Sequence, residues 1–215
     1  MPSGWKKVRK GVKKRLGLRT ERPPFTGKYY DRARCMLLDV VDIFNQAGLP
    51  YSVDAGTLLG LVRDGDLIPW DNDLDIMLPV EAIPQLHALY DRIKGKGWRV
   101  SHTYTMPFAC EAWQEDNPRV IKIRSQTLLH IGAGSTLLDI TIIYRHDDHY
   151  WWEMSNRICR IPAEFLDRHQ TIAYAGRQMR VPYDYERYLQ HTYGDWRTPQ
   201  QAFPRDEFGI ILRKP

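Results

Sequence analysis

Cysteine is scarce in this sequence, and its few copies are widely separated. Cys35, Cys110 and Cys159 are the three cysteines among 215 residues, and no CxxC pair occurs. Neither a disulfide framework nor a cysteine-rich zinc site is indicated, and a reducing compartment is the simplest interpretation. Long apolar runs are missing too, since no stretch approaches the ~18 residues of a membrane-spanning helix. The basic N-terminus is not followed by the apolar segment of a secretory signal, so we expect a cytoplasmic protein.

Several familiar catalytic motifs are also absent. The sequence contains no GxSxG, HExxH or Walker A motif. Gly132-Ala133-Gly134 lacks the rest of a dinucleotide-binding fingerprint and predicts a turn. His146-Asp147-Asp148-His149 has metal-ligating side chains, but it falls on a predicted loop, where solvated side chains are the favoured interpretation.

Positive charge is concentrated at the N-terminus. Residues 1–22 hold nine Lys and Arg against one acid, whereas the rest of the chain holds 22 basic and 25 acidic residues. We predict a flexible basic arm over residues 1–28 and a single domain over residues 29–215. The arm is either a solubilising tail or a weak amphipathic helix that contacts an anionic membrane. Because the domain itself is slightly acidic, nucleic acid binding is not expected.

The periodicity of apolar residues predicts alternating helices and strands. Helices are expected over Tyr29–Ala47, from Leu58 to Val62, over Glu81–Lys94 and over Asp184–Tyr193, the last capped by Asp184. Strands are expected at Tyr51–Asp54, Asp73–Leu78, Arg99–Tyr104, Val120–Arg124 and Leu137–Tyr144, with a hairpin of Thr171–Tyr174 and Gln178–Val181. This order predicts a mixed α/β (α+β) fold with a small, partly antiparallel sheet.

Three acids stand at alternate positions before and along one predicted strand. On a strand, Asp71, Asp73 and Asp75 would project from one face, while Leu74 and Ile76 point to the core. Clustered carboxylates repel one another unless a cation neutralises them. Their hard oxygen atoms suit Mg²⁺ or Mn²⁺ rather than zinc.

A candidate phosphate site precedes the acidic strand. Gly56-Thr57 opens a predicted helix, whose N-terminal N–H groups and dipole favour an anion. The predicted returning strand brings Asp73 and Asp75 back beside it. A phosphate next to a metal ion is the arrangement that phosphoryl transfer needs.

Residues 56–76, GTLLGLVRDGDLIPWDNDLDI, carry a specific resemblance. They closely resemble the signature of the LicD family, which includes fukutin-like enzymes of the nucleotidyltransferase-fold superfamily. The preceding helix, a later strand with Asp139-Ile140, and three C-terminal segments are similar as well. Those segments are Val181-Pro182, Tyr185-Glu186-Arg187-Tyr188-Leu189 and Tyr193-Gly194-Asp195-Trp196.

The resemblance implies a nucleotidyltransferase fold, with a small mixed sheet flanked by helices, and a magnesium-dependent transferase. Such an enzyme would move phosphocholine or a phospho-alditol from a CDP-linked donor to a sugar hydroxyl and release CMP. The acceptor would be a glycan or glycolipid of lipopolysaccharide, teichoic acid or capsule biosynthesis. The enzyme would work in the cytoplasm, with its basic arm as a possible contact to the inner face of the membrane.

The same resemblance assigns roles to individual residues. It implies that Asp73, Asp75 and Asp139 bind Mg²⁺ (or Mn²⁺), with Asp139 also suited to act as general base. Arg63 matches the arginine of the family motif, where it would clamp donor phosphate. Asp64 stands where the family usually has histidine. The predicted donor-binding residues are Gly56, Thr57, Arg63 and Trp70.

Each assignment has a structural alternative. Asp71 would cap or solvate the strand start, and Asp139 would be a buried acid paired with an arginine such as Arg124. Gly56 would only permit close packing, and Trp70 would be a core residue rather than a base-stacking one. Two other functions stay open: a nucleotidyltransferase that adds a nucleoside monophosphate to a small molecule, protein or RNA, and a non-catalytic binding module.

Overall fold

The structure is a computed structural model that describes residues 23–125, 137–200 and 211–213. Residues 1–22 of the predicted arm and the predicted turn at Gly132-Ala133-Gly134 lie outside the described residues. The segment just before the first helix packs against the domain. Phe25 is buried, and its backbone N–H donates to the carbonyl oxygen of Asp71 at 2.8 Å.

The described residues form six α-helices, one short 3₁₀ helix and ten strands. The helices are α1 (Lys28–Ala47), α2 (Ala55–Arg63), α3 (Ile83–His87), α4 (Tyr90–Gly95), α5 (Glu164–Asp167) and α6 (Tyr185–Tyr193), and the 3₁₀ helix is Val80–Ala82. The first five strands are β1 (Ser52–Val53), β2 (Leu74–Pro79), β3 (Trp98–Thr105), β4 (Pro118–Ser125) and β5 (Leu137–His146). The other five are β6 (His149–Glu153), β7 (Ile158–Pro162), β8 (His169–Tyr174), β9 (Arg177–Pro182) and β10 (Ile211–Arg213).

Helix α1 is built as its sequence predicts. A stripe of apolar residues at helical spacing is buried, namely Ala33, Met36, Leu37, Val40, Val41, Ile43 and Phe44. Gly48 ends the helix at φ 64°, a left-handed conformation that glycine adopts without a steric penalty. The helix lies against the core side of the sheet.

A mixed sheet of eight strands forms the centre of the fold. Strand β2 pairs in parallel with β5, and all the other strand pairs among the described residues are antiparallel. Strand β5 contacts three neighbours, because β2 lies on one edge while β4 and β6 share the other. Strands β8 and β9 form a separate hairpin. The prediction of a mixed, partly antiparallel sheet flanked by helices is confirmed.

The two faces of the central strands differ in chemistry. On β2 and β5, Leu74, Ile76, Leu138 and Ile140 are fully buried in the core. The alternating residues, among them Asp75 and Asp139, face the other way, because successive side chains of a strand point to opposite faces. The pleat therefore places acids above an apolar core.

The predicted helix over Glu81–Lys94 is wrong as a single element. It is divided into the 3₁₀ turn, α3 and α4. Pro84 lies in the first turn of α3, where its missing N–H costs least, and it could not stand inside a continuous helix. The apolar stripe survives the division, since Leu86, Leu89 and Ile93 are all buried.

Two further corrections concern the C-terminal half. Strands β6 and β7 were not predicted, although they carry the buried residues Trp151, Trp152 and Ile161. Asp184 occupies the N-cap position of α6 but makes no side-chain capping hydrogen bond. Its backbone is in the left-handed conformation, with φ 50°.

The segment His146-Asp147-Asp148-His149 forms the tight turn between β5 and β6. Asp147 and Asp148 are 84% and 87% exposed. The interpretation as a solvated turn therefore agrees with the structure. Within the described ranges, no helix is long and apolar enough to cross a membrane.

Candidate active site

The strand register brings the acids of two sequence segments together. Asp75 of β2 lies directly opposite Asp139 of β5, and Asp139 lies opposite Lys122 of β4. Directly opposed residues on one face have Cβ atoms about 5 Å apart. Asp73 comes two residues before Asp75 on the same side. The strand register therefore supports the predicted proximity of Asp73, Asp75 and Asp139.

Asp139 is paired with a lysine of the neighbouring strand. The ammonium group of Lys122 donates to Oδ2 of Asp139, and both side chains are about 15% exposed. Lys122 is the residue opposite Asp139 in the register, whereas Arg124 lies opposite Leu137. A cation is thus held at one end of the acidic row.

A fourth acid, Asp54, joins the site from the N-terminus of α2. Its buried carboxylate accepts a hydrogen bond of 2.5 Å from the hydroxyl of Tyr188 on α6, and its backbone N–H donates to the carbonyl oxygen of Asp75. The next residue, Ala55, has φ 48°, a left-handed conformation that is costly outside glycine. Such strain often accompanies functional sites.

Sequence reasoning missed Asp54 and Tyr188 as members of the site. Asp54 lies two residues before Gly56, in the predicted strand, and Tyr188 lies in a matching C-terminal segment. Asp54 carries no distinct local signal, since aspartate is also a common residue at the N-terminus of a helix. Its partner Tyr188 is 134 residues away in the chain, beyond the reach of local patterns.

These acids line a cavity of about 360 Å³. The floor is the face of β2, β5 and β4 that carries Asp75, Asp139 and Lys122. One wall comes from α6 through Tyr188, Thr192 and Tyr193. The other comes from Arg119 of β4 and from residues 152–155 at the turn between β6 and β7.

The acids make the cavity costly to fill with negative charge. Burial, and then repulsion from Asp73, Asp71, Asp54 and Asp139, raises the pKa of Asp75 well above its ordinary value. Burial likewise raises the pKa of Asp54. Five acids and two basic side chains line the cavity. An arrangement this costly to charge is typical of a site that is completed by a positive ion.

Asp71 sits at the edge of this cluster. It is not among the described residues that line the cavity, and its Oδ1 accepts from the backbone N–H of Asn72 at 2.8 Å. Burial, followed by repulsion from Asp73, raises its pKa to about 6. Its carboxylate also fills the space beside Gly56, where an added Cβ would lie 2.1 Å from Oδ2. Gly56 therefore permits this close approach.

The four predicted donor-binding residues lie around the acidic segment rather than in the cavity. Thr57 is buried, and its hydroxyl accepts a hydrogen bond from the backbone N–H of Asp75 at 2.9 Å, which fixes the start of β2. Gly56, Thr57, Arg63 and Trp70 are all missing from the described cavity lining. Their roles toward a donor stay predictions.

Arg63 is engaged by its neighbour. Its Nε and Nη2 donate to the two carboxylate oxygens of Asp64, at 2.8 and 2.7 Å. The guanidinium group also lies 6.0 Å from the ring centre of Trp70, which is 41% exposed. The acid that stands in place of the usual histidine thus neutralises the arginine that was predicted to clamp phosphate.

The carboxylate oxygens of the cavity suit a hard divalent cation, although the acids do not form a complete coordination shell. Among the described residues, no group of three His, Cys, Asp or Glu side chains is placed to hold one ion. Mg²⁺ usually takes only one or two carboxylates and completes its octahedron with water and substrate phosphates. Asp73 and Asp75 meet that smaller requirement, so the residues present fit such an ion.

Comparison with protein families identifies the chain. The profile described as LicD/FKTN/FKRP, nucleotidyltransferase domain, matches residues 48–184. The chain belongs to this family. The matched residues include the four acids of the site, whereas Tyr188 lies just beyond them. The resemblance inferred from residues 56–76 is confirmed, and with it the nucleotidyltransferase-type fold of this LicD-family domain.

Two mammalian proteins are similar over most of the chain. The proteins named ribitol 5-phosphate transferase FKRP from Mus musculus and Homo sapiens are each 25% identical to it over 162 residues. The matches cover 72% of this chain and 30% of each relative. The chain thus matches about 30% of the length of these relatives.

A bacterial relative and a solved structure are also similar. The uncharacterized protein RT0683 of Rickettsia typhi is 31% identical over 67 residues, which are 31% of this chain and 22% of that protein. The crystal structure of ANT(2")-Ia in complex with adenylyl-2"-tobramycin superposes with a TM-score of 0.39 at 18% identity. It covers 73% of this chain and 76% of the other.

Proposed function

We propose that this LicD-family chain is a divalent-metal-dependent transferase that moves a phospho-alditol or phosphocholine group from a CDP-linked donor to a sugar hydroxyl of a glycan. The observation that carries the proposal is the row of Asp75, Asp139 and Lys122 across β2, β5 and β4, with Asp73 beside it on the floor of an open cavity. Membership of the family and the printed name of the FKRP relatives support the class of group transferred.

The acids divide the work of the reaction. Asp73 and Asp75 would hold Mg²⁺ or Mn²⁺, which supplies charge neutralisation to the diphosphate when bound. Asp139 would accept the proton of the attacking hydroxyl, with its carboxylate oriented by Lys122. The hydroxyl oxygen forms a bond to the phosphorus atom that carries the alditol or choline, the bond from that phosphorus to CMP breaks, and CMP leaves.

The glycan acceptor would belong to a surface polymer such as lipopolysaccharide, teichoic acid or capsule. A CDP-linked donor points to the cytoplasm as the site of action. The basic segment of residues 1–22 would then contact an anionic membrane and keep the enzyme near a lipid-linked acceptor. Equal binding of the full chain and a chain without residues 1–22 to anionic vesicles at low salt would contradict this part of the proposal.

The released product tests the reaction class. Purified protein is incubated with Mg²⁺ and CDP-ribitol, CDP-glycerol or CDP-choline, after a thermal-shift screen has selected the donor that raises the melting temperature. We expect CMP release that depends on the metal and on Asp75. Pyrophosphate release from a nucleoside triphosphate would instead favour a nucleotidyltransferase, and binding without turnover of any of these compounds would favour a binding module.

A further inference from the structure

The wall of the cavity formed by Arg119 differs in charge from the acidic floor. Arg119 lies on β4, three residues before Lys122, and both line the cavity. The guanidinium carbon of Arg119 and the ammonium nitrogen of Lys122 lie 5.7 and 5.5 Å from the centre of the Tyr104 ring. Both basic side chains of the described cavity lining therefore lie against the same aromatic ring, on the β4 side of the cavity.

A buried glutamate holds Arg119 in place. Glu153, at the end of β6, is 3% exposed. One of its oxygens accepts from Nη1 of Arg119 at 2.5 Å, and the other accepts from the backbone N–H of Asn156, also at 2.5 Å. A carboxylate bound on both oxygens has a fixed orientation, so it fixes the guanidinium group as well.

The ion pair with Glu153 does not use all the N–H donors of Arg119. Its Nε is buried and has no hydrogen-bond partner within the described part of the chain. A buried N–H without an acceptor is costly, and such groups call for an explanation in a native structure. The side chain as a whole is 27% exposed and lines the cavity, so an incoming acceptor oxygen can reach the guanidinium group from the cavity side.

Resting on the proposed function, we propose that Arg119, braced by Glu153, is the phosphate-binding residue of this cavity. The ligand is a phosphate group of the substrate, which the planar guanidinium binds through N–H donors not used by Glu153. A phosphate bound there lies on the side of Lys122 and Asp139, next to the reacting hydroxyl. Two sources carry this chemistry, the diphosphate of the CDP-linked donor and a phosphate already present on the acceptor glycan.

The test compares two arginines with similar surroundings. Arg145 on β5 also pairs with an acid, Asp167, and lies 5.5 Å from the ring centre of a tyrosine, but it is outside the described cavity lining. Dissociation constants of CDP-ribitol and of glucose 6-phosphate are measured by calorimetry with Mg²⁺ present. We expect Arg119→Gln to weaken one of these probes by ~10- to 100-fold, as for loss of a charged hydrogen bond, and Arg145→Gln to change neither.

The two probes distinguish the sources. Weaker binding of CDP-ribitol alone assigns Arg119 to the donor diphosphate, and weaker binding of glucose 6-phosphate alone assigns it to the acceptor. Unchanged binding of both probes, or an equal loss in Arg145→Gln, would overturn the proposal. Failure of the proposed function gives a different result. CMP would then not be released, while the binding of a phosphate-containing probe would still depend on Arg119.

Folding of the variants needs its own control. Arg119→Gln leaves the buried carboxylate of Glu153 without its cation, which is destabilising. The double variant Arg119→Gln/Glu153→Gln replaces the ion pair by two neutral amides. If the single variant unfolds, the dissociation constants of both probes are measured with the double variant instead. Melting temperatures are recorded for all variants. A double variant that is folded and binds both probes as tightly as the wild type would also overturn the proposal.

Discussion

Asp75 is the residue on which the repulsion in the cavity converges. Its own burial and the charges of Asp73, Asp71, Asp54 and Asp139 all disfavour its ionised form. Strongly perturbed acids of this kind cluster at functional sites. The sequence alone predicted Asp73 and Asp75, because spacing by two on a strand is a local property. It could not predict Asp54, whose place in the site depends on Tyr188.

We expect Asp75→Asn to abolish turnover without weakening the fold. The amide keeps the size of the side chain and removes a charge that the folded state disfavours, so the metal-free protein should be as stable as the wild type or more stable. CMP release and urea denaturation without Mg²⁺ measure the two effects. Asp91→Asn, on the exposed side of α4, is the control that should change neither. Near wild-type turnover of Asp75→Asn with Mg²⁺ would contradict the proposed site.

Asp139 should affect the rate more than donor binding. Loss of a general base typically lowers the rate ~10²- to 10⁴-fold. We expect Asp139→Asn to lower kcat in that range while the dissociation constant of the donor changes only a few-fold, because its amide oxygen can still accept from Lys122. A merely structural Asp139 would give the opposite result, with a lower melting temperature and normal turnover per folded molecule.

At the scale of elements, local patterns predicted the elements that carry the acids. Helix α1 and strands β2, β4 and β5 have clear apolar periodicity, and Gly48 provides a definite stop. Strands β6 and β7 were missed, because consecutive buried residues, Trp151 to Glu153 in β6 and Ile158 and Cys159 in β7, interrupt the alternation that predicts a strand. The breaks at Ala82–Ile83 and at Ala88–Leu89 are not expressed by the apolar stripe, which continues across them through Leu86, Leu89 and Ile93.

Helix α6 contributes to the site through one hydroxyl. Tyr188 is buried, and its hydroxyl donates to Asp54, which in turn bonds to the backbone of β2. We expect Tyr188→Phe to destabilise the protein by ~1–3 kcal/mol, because a buried carboxylate loses its donor. Turnover should fall as well, since the position of Asp54 is no longer fixed. Chemical denaturation and CMP release measure the two effects.

The control for this prediction is Tyr185→Phe. Tyr185 lies on the same helix but is not among the described residues that line the cavity. If the two variants lose equal stability and equal turnover, the Tyr188–Asp54 hydrogen bond has no special role, and α6 supports the site only by packing.

At the scale of the whole molecule, the β8–β9 hairpin is fastened to the rest of the domain by polar contacts. Asp66 accepts from the hydroxyls of both Tyr30 and Tyr174, each at 2.6 Å, and so joins α1, the turn after α2 and β8. Arg180 of β9 donates to Tyr51 through its backbone N–H and its Nε. No local pattern in the sequence indicates these contacts, because they join residues up to 129 positions apart.

One histidine makes the stability of this hairpin depend on pH. Burial, and then the charge of Arg180, lower the pKa of His169 to about 4, below its usual 6.5. Between these values the unfolded chain binds a proton that the folded protein does not bind. The free energy of unfolding therefore rises with pH through this window and falls as the solution is acidified from about pH 6.5 towards 4.

We expect His169→Gln to flatten this dependence, because its side chain does not titrate. Each unit of pKa difference corresponds to about 1.4 kcal/mol, so the slope is large enough to measure by urea denaturation at several pH values between 7 and 4.5. His87→Gln is the matched control, since His87 is exposed on α3, with its ring centre 5.0 Å from that of Tyr90. If His169→Gln and the wild type lose stability in parallel, carboxylates rather than this histidine set the acid limit of the fold.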